Sequence, residues 1–204
     1  MLARVKYLIY FGKYRMLGII LAGGSSSRAK LNKLLLDVEG QPLICRTVQT
    51  MRPFVDHIIA VTGKYHKELQ PVLAKEDIEI AYNASHEKGM FSSIQTGLNM
   101  VHDEDILLIP GDIPNVSKKT YEKLLMAKGE IRIPTYLGKE GHPLYLSRRL
   151  VNEARKEPLE SNMRLFLNKH EDEKIRVEVD DPFVCFDVDT NEDYQKLLSL
   201  IERK

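Results

Sequence analysis

The chain has 204 residues, with 30 Lys+Arg against 29 Asp+Glu, a formal net charge of +1 and two cysteines. That length suits one sizeable core and falls short of two comfortable domains, and the balanced charge argues against a broad nucleic-acid surface. No apolar run is long enough to span a membrane, and Cys45 and Cys185 lack metal-ligand spacing, so a reduced, cytoplasmic setting with both cysteines in the core is the default.

Residues 1–15 read as an N-terminal extension. Lys6 and Lys13 bracket a short apolar run with no small-residue cleavage site after it, unlike a signal peptide. Met16 stands directly before the first convincing strand, so a single domain is placed at 16–204, with 1–15 as an appended segment or a basic, weakly ordered arm.

Apolar runs of strand length then alternate with helical patterns. Residues 17–22 are apolar on both faces, as a central parallel strand should be. Residues 43–51 are helical after Pro42, 57–61 form a strand, and 64–75 are helical with Pro71 as a kink or stop. A short strand at 78–82, a helix at 91–101 and a strand at 106–109 follow. Ser117 caps a helix over 117–127. Next come a strand at 131–136, helices at 147–155 and 161–170, and strands at 174–179 and 183–188. Thr190 caps the helix 191–203, with Asp193 at the capping-box position. The stretch from Gly138 to Gly141 interrupts the pattern as a loop beside the site. This alternation predicts an α/β fold of three layers, a mostly parallel sheet with helices on both faces.

Four segments carry candidate chemistry. The first is Gly23-Gly24-Ser25-Ser26-Ser27 after the first strand, followed by Arg28 and Lys33. Glycine lets backbone N–H groups approach an anion closely, and the two cations add full charge. A nucleoside triphosphate carries roughly four negative charges, more than backbone dipoles alone can hold. The plain alternative is a turn with two solvated cations. The loop is neither a P-loop nor Gly-x-Gly-x-x-Gly.

The second segment places Asp112 after the strand ending at Pro110-Gly111, where it is a ligand-facing acid or a turn residue. The third holds Asp187 and Asp189, which share one face if 183–188 is a strand. Asp112 with Asp187 suits magnesium, which takes one or two carboxylates plus phosphate oxygens and water. Asp189 is assigned to the start of the last helix, where negative charge is favourable. The fourth runs from Asn83 through Gly89 to Ser92 and Ser93 in a first helical turn, whose N–H groups can take an anion or a base edge. Its alternative is a capped helix with Met90 and Phe91 in the core. Gly141-His142-Pro143 is a weaker candidate for substrate contact. The other histidines, His86 among them, read as surface or packing residues.

In order and spacing these segments resemble the molybdenum-cofactor nucleotidyltransferases, the MobA/MocA-like group of Rossmann-like nucleotide-diphospho-sugar-transferase folds, over residues 16–204. The matching pieces are Leu21-Ala22-Gly23-Gly24, Arg28, Asn32-Lys33-Leu34-Leu35, Gln41-Pro42-Leu43, Asn83, Gly89-Met90, Ser93, Gly111-Asp112-Ile113-Pro114, Gly141-His142-Pro143 and the run from Asp187 to Asp193. The resemblance implies Mg2+-dependent transfer of a nucleoside monophosphate from an NTP to a phosphorylated acceptor, molybdopterin in the nearest relatives, with release of pyrophosphate. It implies Leu21, Ala22, Gly23, Gly24 and Ser25 at the nucleotide phosphates, together with Asn83, Gly89, Ser93 and Asp112 in the nucleotide pocket. Arg28 and Lys33 are the implied catalytic cations, Asp112 and Asp187 the metal ligands, and Gly141 and His142 the acceptor contacts. A molybdoenzyme or its chaperone is the implied recipient of the product.

Ala29-Lys30 departs from the Met-Gly common in the family after the loop arginine, which alters the loop backbone and adds a third cation. Gly23 is more like the guanylyl-transferring branch. Asn32, Gly141-His142-Pro143 and Asp187-Val188-Asp189 look more like the cytidylyl branch, so CTP is favoured over GTP. The rivals are a nucleotidyltransferase acting on a sugar phosphate or another phosphorylated small molecule, and a non-catalytic nucleotide-binding module.

Overall fold

The computed structural model describes residues 15–24 and 32–201. The expected N-terminal extension up to residue 14 lies outside the described residues, as do Ser25, Arg28, Ala29 and Lys30.

β1 (Met16–Ala22) is buried at every position, as its unbroken apolar run requires. It pairs in parallel with β4 (His57–Thr62) on one side and with β6 (Asp105–Pro110) on the other. β5 (Glu79–Tyr82) extends the β4 side in parallel. Beyond β6 the sheet turns mixed: β9 (Leu144–Leu146) runs antiparallel to both β6 and β7 (Ile131–Tyr136), and β10 (Lys174–Glu178) is parallel to β7. The order is β10-β7-β9-β6-β1-β4-β5, with β8 (Lys139–Glu140) folded back on β7. A separate small ribbon pairs β2 (Asp37–Val38) with β3 (Gln41–Pro42).

The period of two along the strands divides the core. Ile20, Ala22, Leu107 and Ile109 point to a face covered by α1 (Leu43–Met51), α2 (His66–Leu73), α4 (Lys118–Met126) and α7 (Asn191–Ile201). Leu17, Ile19, Leu21, Ile106 and Leu108 point to the other face. That face is covered by α3 (Met90–Leu98), α5 (Arg148–Ala154) and α6 (Met163–Lys169). The three layers are those the alternation predicts. α3 lies tight against the sheet because Gly97 has no side chain: a Cβ there would come within 2.8 Å of Ile19 Cγ2.

Local signals behave as their chemistry dictates. Ser117 Oγ accepts from the Thr120 amide at 3.3 Å, and the Thr190–Asp193 box closes both ways, at 2.9 and 3.1 Å. Pro71 sits inside α2 without ending it, and the chain tightens only at Ala74–Glu76. Lys67, whose carbonyl the proline deprives of a partner, is exposed.

One expected strand is absent. Residues 183–188 do not join the sheet: Pro182–Cys185 forms a 3-10 turn, and 186–189 follow without regular structure. Asp181 starts the turn by accepting from the Phe183 amide at 3.1 Å, and Pro182 fixes the first dihedral. The segment instead crosses the end of β6, where the Val188 amide donates to the Asp112 carbonyl at 3.3 Å. The cysteines also differ from expectation in part. Cys45 is buried, whereas Cys185 is only partly covered and donates to the Lys139 carbonyl at 3.5 Å.

Candidate functional site

The chain runs from β1 to β4 and β5 on one side and returns to β6 on the other. The strand order therefore reverses between β1 and β6, and an open α/β sheet binds ligands outside the carboxyl ends at such a point. The two ends are tied together, since the Gly111 amide donates to the Leu21 carbonyl at 2.9 Å. A cleft of about 400 Å³ opens there.

Of the residues expected from the sequence, Leu21, Gly23, Gly24, Lys33, Gly89, Ser93, Asp112 and Asp187 line this cleft together. Ala22 is buried in the core beside it. Asn83 is buried and serves the cleft through Ser93. Its amide NH2 donates to Ser92 Oγ at 2.8 Å and Ser93 Oγ at 3.0 Å, while Oδ1 accepts from the Ser85 amide at 2.9 Å. Ser93 in turn sits against Gly23, where a Cβ would come within 2.5 Å of Ser93 Oγ. Glycine at 23 thus lets the first loop and the start of α3 share one wall.

Gly89 enters α3 at φ +95°, a region L side chains rarely adopt, and no side chain caps the helix there. Met90 and Ser93 of the first turn face the cleft. The first amides of a helix lack internal partners and carry the positive end of its dipole, so this end of the cleft favours an anion.

Charge collects in the same cleft. Lys33 Nζ lies 2.5 Å from Asp112 Oδ2 and 2.5 Å from Asp189 Oδ1. Burial pulls the Lys33 ammonium down, but Asp112 and then Asp189 outweigh it and hold the group above its ordinary range. Asp187 goes the other way. Burial pushes its carboxyl up, the charges of Asp189 and Asp112 add to that, and its own backbone N–H and Lys33 oppose it. Three acids therefore face one described lysine.

Gly141 and His142, expected to face an acceptor, do not line the cleft. The Gly141 amide donates to the Pro134 carbonyl and the His142 amide to the Val184 carbonyl, both at 2.8 Å. These bonds hold the loop against the 3-10 turn. Burial pulls the His142 imidazole down to about 4, against the opposing pull of Asp112 and of the Leu108 backbone, so it is neutral near pH 7.

Sequence reasoning passed over Asn32, His86 and Asp189 as cleft residues. Asn32 had a signal: an Asn just before an apolar turn is a cap, and its Oδ1 accepts from the Leu34 amide at 3.2 Å. Its Nδ2 is buried without a partner and is thus a donor ready for a ligand.

A profile of the MobA-like NTP transferase domain matches residues 18–174. The chain belongs to this family. It is 28% identical over 180 residues to the molybdenum cofactor cytidylyltransferase of Escherichia coli (strain K12), spanning 86% of this chain and 92% of that one. A molybdenum cofactor guanylyltransferase of Ectopseudomonas mendocina (strain ymp) is 26% identical over 132 residues, 62% of each chain. Among solved structures, a nucleotidyl transferase from Methanothermobacter thermautotroptrophicus superposes with a TM-score of 0.81 at 22% identity, covering 93% of this chain and 98% of that one. The MobA-like domain is accordingly a nucleotidyltransferase of α/β fold.

Such chemistry raises the question of a divalent ion. Among the described residues no three His, Cys, Asp or Glu side chains are grouped to enclose a metal by themselves. The donor set of this MobA-like domain fits a hard cation that brings its own phosphate and water ligands. Among the described residues the cleft sets three carboxylates, Asp112, Asp187 and Asp189, beside one lysine, and Asp112 Oδ1 is a buried acceptor without a partner.

Proposed function

We propose that this MobA-like domain transfers a cytidylyl group from CTP to the phosphate of a molybdopterin-type cofactor, with Mg2+, and releases pyrophosphate. The observation that carries the reading is Lys33, held between Asp112 and Asp189 in a cleft also lined by Gly23, Gly24 and the start of α3. A cation and its acids share one cleft with a glycine pair and a helix N-terminus.

In this reading an acceptor phosphate oxygen attacks the α-phosphorus in line as the bond to the β-phosphate oxygen breaks. Gly23, Gly24 and the first amides of α3 bind phosphate oxygens, with Ser25 beside them. Leu21 and Ala22 bring the chain to the nucleotide, and Asn83 fixes the Ser93 hydroxyl and Gly89 the approach to α3. Lys33, aided by Arg28, meets the negative charge that builds on the leaving pyrophosphate. Asp112 and Asp187 would hold the magnesium ion, which when bound would supply positive charge to the phosphate oxygens. Catalysis is positioning and electrostatics, with no covalent enzyme intermediate.

CTP is favoured because the cytidylyltransferase relative matches over 92% of its length and the guanylyltransferase over 62%. Asn32 Nδ2 adds a donor that a pyrimidine or phosphate acceptor can use. The test is Mg2+-dependent pyrophosphate release with molybdopterin and either CTP or GTP. Turnover with CTP supports the reading. Turnover with GTP alone moves the assignment to the guanylyl branch. Release only with a sugar phosphate in place of molybdopterin replaces the acceptor.

A further inference from the structure

Two threonines of α1 use their hydroxyls differently. Thr50 Oγ1 donates to the Thr47 carbonyl at 3.1 Å, the local bond usual for a threonine inside a helix. Thr47 is fully buried and donates out of its helix. Its Oγ1 bonds the Gly111 carbonyl at 2.9 Å, with the Ile113 carbonyl at 3.4 Å as a longer second arm. Those two carbonyls flank Asp112, whose own carbonyl accepts from the Val188 amide at 3.3 Å. Three successive carbonyls after β6 are thus each bonded from other segments. Arg46, the residue before Thr47, reaches further along the same loop: its guanidinium donates to Asn115 Oδ1 at 3.2 Å and to Glu39 Oε2 at 2.5 Å.

The same helix also holds the turn of the cleft lysine. The Leu43 amide, at the start of α1, donates to the Leu36 carbonyl at 2.8 Å, and the Leu36 amide donates to the Lys33 carbonyl at 3.2 Å. α1 therefore ties the two chain segments whose side chains meet at 2.5 Å as Lys33 and Asp112. Packing alone does not call for threonine at position 47. Valine has its shape, and a buried hydroxyl is costly unless it is bonded. The hydroxyl is explained by the loop it holds.

We propose that Thr47, aided by Arg46, is a positioning residue that fixes the backbone at Asp112 and so aims its carboxylate at Lys33 and the divalent ion. The inference rests on the proposed nucleotidyl transfer, in which Asp112 holds that ion. Thr47 does not line the cleft, and neither arm of its hydroxyl reaches the Gly23-Gly24 loop or α3. Its removal should therefore misplace the acid and leave the proposed phosphate donors where they are. A displacement of about 1 Å at a reacting group is enough to cost on the order of a hundredfold in rate.

Three variants of the whole chain test this. T47V keeps the shape and removes the hydroxyl, T47S keeps the hydroxyl, and T50V makes the same exchange at the threonine bonded within its own helix. Pyrophosphate release from CTP gives kcat and KM, and water-proton relaxation follows Mn2+ binding in the presence of CTP without acceptor. T47V is expected to lower kcat about tenfold or more with little change in the KM for CTP, and to weaken Mn2+ binding about tenfold. T47S and T50V are expected to stay near wild type. A T47V protein that melts lower yet keeps kcat and Mn2+ affinity shows a merely structural threonine and overturns the inference. So does a rise in KM with kcat intact, or a loss in T47S or T50V equal to that in T47V. If T47V does not fold, N115A decides, because Asn115 is only partly buried and its loss removes the Arg46 tie on the same loop. N115A should lower kcat and Mn2+ affinity together, and no change in either overturns the inference. Wild-type protein that neither binds Mn2+ with CTP nor releases pyrophosphate overturns the proposed function as well. Wild-type activity that T47V matches overturns this inference alone.

Discussion

Lys33 and Asp189 stand 156 positions apart in the chain and meet at 2.5 Å, with Asp112 at the same distance on the other side of the ammonium. The lysine thus bridges the two ends of the nucleotide-binding fold before any phosphate arrives. In the proposed reaction a triphosphate competes with two carboxylates for it, and the preformed clasp keeps the ammonium at the cleft.

In the proposed reaction, replacing Lys33 with Ala removes the one described lysine of the cleft that meets the leaving group. It is expected to cost at least about 3 kcal/mol of transition-state stabilisation, roughly a hundredfold in kcat/KM. Steady-state pyrophosphate release measures it, and near-normal turnover contradicts the assigned role.

Asp187 has a raised carboxyl, chiefly through burial and then through Asp189 and Asp112. Its native state therefore binds a proton more tightly than the unfolded chain does, and the metal-free protein gains stability from this group as pH falls through the raised value. The proposed Mg2+ site needs the ionised form, so Mg2+ affinity is expected to fall in acid at a higher pH than an ordinary Asp would give. D187N should melt no lower than wild type without metal, yet lose the extra stabilisation conferred by Mg2+ with CTP. Differential scanning of both proteins with and without those ligands decides it.

His142 gives the opposite sign. Its imidazole is lowered from 6.5 to about 4 in the folded chain. Unfolding releases the ring to take up a proton, so its stabilising contribution is complete above pH 6.5 and is lost as pH falls toward 4. The loss is at most about 3 kcal/mol. H142N should show a flatter stability profile across that window in urea titrations, and an unchanged profile would remove the effect from His142.

Gly23 and Ser93 are predicted to be coupled. G23A drives a methyl group onto Ser93 Oγ, which Asn83 holds in place, and should cost about 1–3 kcal/mol as overpacking. S93A removes the obstructing oxygen, so G23A in that background should cost distinctly less. Strict additivity of the two would show that the loop relaxes in some other way.

Arg155 anchors the far end of the same helix. Its guanidinium donates to the Leu98 carbonyl at 3.0 and 2.7 Å and to the Val101 carbonyl at 2.5 Å. Charge-assisted bonds of this kind are worth about 1.5–3 kcal/mol each, less where water reaches them. R155A should lower the urea midpoint and raise the KM for nucleotide, because α3 carries Ser93 and the anion-facing amides.

What local sequence could reveal followed local rules. β1 announced itself by being apolar on both faces, α1 by its period after Pro42, and α7 by Thr190 with Asp193. The stretch Phe183-Val184-Cys185-Phe186 misleads, since its apolar run reads as a strand while Asp181 and Pro182 start a turn. Asp189 looked like a helix-start acid because its partner, Lys33, is far away in sequence. His142 carried no local sign that the register of β9 would bring it alongside the end of β6.

The cleft draws its walls from Leu21, the Gly89–Ser93 turn, Asp112 and Asp189. A ribosome must therefore expose nearly the whole domain before the last acid can reach Lys33. Until then the glycine loop and its lysine exist as an incomplete anion trap, with positive charge unanswered and β6 lacking its crossing segment. Contacts of such long sequence separation make folding slower and leave partly built chains exposed to aggregation. The same delay means that the proposed nucleotide selectivity and metal binding emerge together, as properties of the finished domain and not of its glycine-rich beginning.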